Sequence, residues 1–93
     1  MTRIAQKIIF EGHVQGVGFR YCTKEVAKGF DITGTIRNLP TGNVELIAAG
    51  EPDEIREFIQ AINESEVAQQ IRKIEITTTN EKPEDHKDFR IIT

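Results

Sequence analysis

Near the start of the chain the large apolar side chains fall at Ile4, Ile8 and Phe10, in step with a period of two that Gln6 interrupts, and Ile9 lies on the other face. That spacing, carried by β-branched residues, predicts a strand over 4–11, placed inside a sheet rather than at its rim. Beyond a glycine-rich stretch the period changes. Phe19, Cys22, Thr23, Val26, Ala27 and Phe30 sit at offsets 0, 3, 4, 7, 8 and 11, one stripe of a helix over 19–28. Lys24, Glu25 and Lys28 stay off the stripe, and Gly29 suits a left-handed cap. A second strand is predicted over 32–39. Pro40-Thr41-Gly42-Asn43 then makes a turn, and Val44, Leu46 and Ala48 alternate with Glu45, Ile47 and Ala49 in a third strand, so residues 34–49 read as an antiparallel hairpin. Glu51-Pro52-Asp53-Glu54 opens a second helix, with proline and acidic side chains at its positive end and Ile55, Phe58, Ile59 and Ile62 as its apolar stripe. Ile74, Ile76 and Thr78 mark one face of a strand over 71–79. The polar stretch 79–88, which holds Pro83, reads as an exposed loop, and Phe89 and Ile91 alternate with Arg90 and Ile92 in a short final strand.

The order strand, helix, strand, strand, helix, strand is that of a ferredoxin-like βαββαβ α/β (α+β) sandwich. The expected form is an antiparallel sheet with both helices on one face. At 93 residues the chain has room for one domain, 1–93. Many unrelated activities share this architecture, so function has to come from a site.

Composition narrows the choice by exclusion. Charged residues make up 29% of the chain and glycine plus proline only ten positions, which is neither a disordered nor a fibrous balance. A net charge of −3 counts against a nucleic-acid partner, but leaves room for a small anion held by one cation and a few backbone donors. No apolar run is long enough to span a membrane. The basic N-terminal stretch is followed by only Ile8-Ile9-Phe10 before Glu11, too little for a signal peptide. The lone Cys22 has no partner for an internal disulfide and favours a reducing compartment, so a cytoplasmic protein is expected.

The chemistry concentrates between the first strand and the first helix. Gly12, Gly16 and Gly18 let the backbone curl so that successive N–H groups point inward, beside the free N–H groups and positive dipole end of the helix. Such a loop receives a tetrahedral anion. Arg20 falls in the first helical turn, where the dipole repels a cation by ~0.3–1 kcal/mol. An anion between it and the loop makes sense of the placement, since a guanidinium grips two phosphate oxygens at once. The plainer alternative is a tight strand-to-helix connection with a solvated arginine.

Other phosphate chemistries fit less well. The loop lacks the Gly-Lys-Ser/Thr ending of a nucleotide-binding P-loop, and it lacks Gly-x-Gly-x-x-Gly. A thiol phosphatase needs its cysteine ahead of the anion loop, whereas Cys22 follows Arg20 on the apolar stripe and reads as core filler. His13 and His86 have no metal-ligand spacing partner, so no metal or cofactor is expected, and His13 reads as an exposed loop edge. With six aromatics and no interleaved aromatic strand motif, RNA binding is disfavoured.

Gly12-His13-Val14-Gln15-Gly16-Val17-Gly18-Phe19-Arg20 resembles the first signature of the acylphosphatase family, and Gly34 to Val44, closed by Gly50, resembles the second. The departures are Thr35 in place of an aromatic, Ile36 in place of a small residue and Phe10 in place of an aliphatic. The resemblance implies metal-free hydrolysis of carboxyl-phosphate anhydrides, small-molecule acyl phosphates, to a carboxylate and phosphate without a covalent intermediate. It implies that Gln15, Gly16, Val17, Gly18, Phe19 and Arg20 cradle the phosphoryl group, chiefly through backbone N–H groups, and that Arg20 grips it. Asn38 is then the residue that holds the attacking water. Local reading of Asn38 alone permits an ordinary hairpin asparagine, with the neighbouring Arg37 on the opposite face. Inorganic phosphate or sulfate is the expected competing anion, and the protein is expected to be a monomer with no nucleic-acid or membrane partner. The alternatives are a non-catalytic phosphate- or small-anion-binding module of the same fold, and a domain of a larger carbamoyl-transferring enzyme. A natural start, and an end just past the last strand, favour a stand-alone protein.

Overall fold

The computed structural model describes residues 2–93; Met1, the first residue of the expected 1–93 domain and of the basic N-terminal stretch, lies outside them. The alternating apolar positions become β1 (Ile4–Gly12), β2 (Thr33–Asn38), β3 (Val44–Gly50), β4 (Ile71–Thr77) and β5 (Phe89–Ile91), and the two stripes become α1 (Phe19–Ala27) and α2 (Pro52–Ile62). The strands lie in the order β4-β1-β3-β2-β5, so β1 is interior, as expected. In the paired register Ile8 stands opposite Leu46 and Phe10 opposite Val44, while Ile36 stands opposite Leu46 from the other side. These side chains share one sheet face, are fully buried, and join Phe19 and Ala27 of α1 and Ile55, Phe58 and Ile62 of α2 in one core. Both helices therefore cover the same face.

Three expectations are corrected. β1 to β4 pair antiparallel, but β5 lies parallel to β2, so the five-stranded sheet is mixed. β4 and β5 occupy opposite rims, and the chain between them crosses the whole sheet before joining β2 in the same direction. Phe89 holds it there, edge-on to Phe58 of α2 with ring centroids 5.9 Å apart. The crossing segment is not wholly exposed either: it forms a short 3₁₀ turn at Pro83–Asp85, and the His86 side chain is only 8% exposed, with Nε2 2.8 Å from a Glu81 carboxylate oxygen. Finally, Gly29 is not left-handed. α1 closes through successive tight turns, the N–H groups of Lys28, Gly29 and Phe30 donating to the carbonyls of Glu25, Val26 and Ala27, and that geometry needs no positive φ.

Phe10, the departure at the end of β1, packs its ring 5.0 Å from that of Phe19 at the start of α1. This contact seats the helix N-terminus on the sheet. Phe10→Ala is expected to cost about 3–5 kcal/mol, read from the midpoint of chemical denaturation; a loss below about 1 kcal/mol would show that Phe10 does not hold the helix.

Candidate active site

The end of the sheet where β1 leaves it is built from the cross-strand row Phe10, Val44 and Asn38. β1 shifts register between Glu11 and Gly12, and His13 N–H donates to the Gln70 carbonyl at 2.9 Å, which turns the chain out of the sheet. Val14, 1% exposed, anchors the connection to the core. Gly16 and Gly18 then take φ of 77° and 78°, while Val17 between them does not have positive φ. This alternation curls consecutive N–H groups toward a common centre, and only glycine adopts it without strain. A Cβ at either glycine would meet nothing within 4 Å, so the requirement is backbone conformation and not space.

α1 starts at Phe19 with no capping side chain and no acidic residue in its first turn. Among the described residues no backbone carbonyl accepts from the N–H groups of residues 15–21, the donors that a loop and a helix start leave free. Arg20 is half-buried and has no carboxylate within ion-pair distance among the described residues. Arg3, Arg37, Arg56 and Arg90 each have one. Arg20 thus stands without an ion-pair partner in the same helix turn whose N–H groups donate to no backbone carbonyl.

Asn38 is the last residue of β2, and its pairing with Val44 puts its side chain on the helix-covered face of the sheet. Arg37 faces the other way and pairs with Glu45 at 3.0 Å, as expected from strand alternation. Asn38 Oδ1 is buried and accepts no hydrogen bond from any described residue.

The sequence reading missed the role of the Gln15 side chain. Its amide Nε2 donates to the carbonyls of Leu39 at 2.8 Å and Asn43 at 2.9 Å, so it points at the β2–β3 turn and only its backbone is left to the loop. Phe19 and Val17 likewise turn their side chains toward the core and offer the site their N–H groups alone. Cys22 packs partly buried against the core and His13 is exposed. The loop itself is open, with Gly16 and Gly18 exposed. A recess of about 320 Å³ lies elsewhere, under Thr35, His86, Lys87 and Arg90, and no residue of the loop lines it.

The model of the acylphosphatase family matches residues 6–91. An acylphosphatase of Methanospirillum hungatei is 44% identical over 77 residues, 82% of each chain. One of Vibrio cholerae is 34% identical over 92 residues, 99% of this chain and all of that one. The crystal structure of acylphosphatase from Bacillus subtilis superposes with a TM-score of 0.85 at 30% identity, covering 97% of this chain and 99% of that one.

Proposed function

The chain belongs to the acylphosphatase family and is an acylphosphatase hydrolase, and on that premise we propose how its residues carry the reaction. The phosphoryl oxygens of a small acyl phosphate accept from the N–H groups of the Gln15–Arg20 loop and from the Arg20 guanidinium. Asn38 Oδ1 accepts a hydrogen bond from a water and aims its lone pair at phosphorus. The water oxygen bonds to phosphorus as the bond from phosphorus to the acyl oxygen breaks, and that electron pair leaves with the carboxylate. The water's proton passes to a phosphoryl oxygen, so no side chain acts as base and no phosphoenzyme forms. A carboxylate is a good leaving group, and positioning with charge stabilisation is enough to carry most of the rate.

The observation that carries this reading is the buried Asn38 Oδ1 without a donor, at the sheet end that holds the loop. An amide accepts from water, which a guanidinium cannot do. Phosphate and sulfate compete for the cradle, and the enzyme works as a cytoplasmic monomer. Among the described residues no three His, Cys, Asp or Glu side chains are grouped to hold a metal ion. Turnover of acetyl phosphate is therefore expected to be unchanged by exhaustive chelation and to exceed turnover of phosphate monoesters, whose leaving groups need more help. Activity lost on chelation and restored by Mg²⁺ or Zn²⁺ would overturn the mechanism.

A further inference from the structure

The Gln15 amide makes the only side-chain hydrogen bonds found, among the described residues, between the loop and the strand pair that carries Asn38. Both of its N–H bonds are used, one on the carbonyl of Leu39, the residue after Asn38, and one on the carbonyl of Asn43. The Asn43 carbonyl also accepts from Leu39 N–H at 2.9 Å, the bond that closes the β2–β3 turn. The donor side of the amide thus fastens the start of the loop to both ends of the β2–β3 turn, across 24 and 28 residues of sequence. Hydrogen-bonding capacity fixes the orientation: two carbonyl oxygens can be met only by the NH₂ group.

Resting on the function proposed above, we propose that Gln15 is a positioning residue that sets the distance between the phosphate cradle and Asn38. Its side chain touches neither phosphate nor water. The curl of the cradle comes from Gly16 and Gly18 and its charge from Arg20, and neither depends on the amide. Without the amide the cradle still binds phosphate, but the hairpin end that carries Asn38 drifts from its line to phosphorus. Misplacement of about 1 Å lowers a rate by as much as about 10²-fold.

The test pairs Gln15→Ala with Gln15→Glu, each made in the wild-type and Asn38→Ala backgrounds. Phosphate affinity and the number of binding sites come from calorimetry, and kcat on acetyl phosphate is referred to those sites, so a partly unfolded preparation is still read. In the wild-type background kcat is expected to fall about 10- to 100-fold with the phosphate Kd changed less than about threefold. Gln15→Glu is expected to be the worse of the two, because it sets a carboxylate oxygen against two carbonyl oxygens. In the Asn38→Ala background neither change is expected to lower kcat further, since the group being positioned is gone. An equal fall in both backgrounds would overturn the proposal by making the effect independent of Asn38. Loss of phosphate affinity in step with kcat would overturn it by making the side chain part of the cradle. If Asn38→Ala alone leaves kcat unchanged, it is the water-holding reading that fails, and the two failures are told apart.

Discussion

Arg20→Ala is expected to weaken phosphate binding and lower kcat/KM together, by about 10³-fold or more in turnover, the effect of removing an arginine that stabilises a transferring phosphoryl group. The reason lies in how the cradle is charged. Its N–H groups are neutral dipoles, and Arg20 is the one cation that the strand-to-helix connection and the first turn of α1 bring to them. Arg3, Arg37, Arg56 and Arg90 are paired with carboxylates, and Arg72 lies on β4, outside the loop and the first turn of α1. Arg20→Lys is expected to rescue little, since a point charge does not replace a two-pronged planar donor. The same residue governs stabilisation by ligand. Phosphate at a hundred times its Kd is expected to stabilise the wild-type fold by about 2.7 kcal/mol, and the rise in Tm is expected to vanish in Arg20→Ala. An equal rise in both proteins would mean a general salt effect and a misplaced site.

Asn38→Ala is expected to separate binding from turnover. Phosphate affinity stays close to wild type while kcat falls about 10²–10³-fold, or about 3–4 kcal/mol, as for removal of one preorganised hydrogen-bonding group. The fold is not expected to suffer, because Asn38 Oδ1 accepts no hydrogen bond from another described residue and its removal breaks no hydrogen bond within the fold. A Tm close to wild type beside a large loss of kcat is the signature of a residue kept for function. If Asn38→Ala loses phosphate binding as completely as Arg20→Ala, Asn38 is a phosphate ligand and holds no water.

The parts of this site that were legible in the sequence are those dictated locally. The curl at Gly16 and Gly18 needs a residue without Cβ, and Phe19, Thr23 and Ala27 recur at the period of a helix, so loop and helix start could be read from the spacing of a dozen residues. The hairpin followed from Pro40 and Gly42 between alternating runs, and it fixed which way Asn38 and Arg37 face. What escaped depends on contacts between distant segments. The Gln15 amide bonds backbone carbonyls, which every residue possesses and which leave no mark on sequence. Three residues of β5 hold too little pattern to give strand direction, and its parallel pairing follows from where Phe89 docks. His86 sits in a polar stretch that reads as loop, and it is buried only because that stretch must cross from β4 to β5.

Whether the Gln15–Arg20 loop holds phosphate can be read from a titration of the isotopically labelled protein with inorganic phosphate, followed by backbone amide NMR. The expected result is that the N–H signals of Gly16, Val17, Gly18, Phe19 and Arg20 shift together and saturate at one affinity, equal to the inhibition constant of phosphate against acetyl phosphate. Thr35, Lys87 and Arg90, around the recess that no loop residue lines, should stay still. Saturable shifts at that recess with the loop unmoved, or shifts that grow everywhere without saturating, would show that the loop does not hold phosphate.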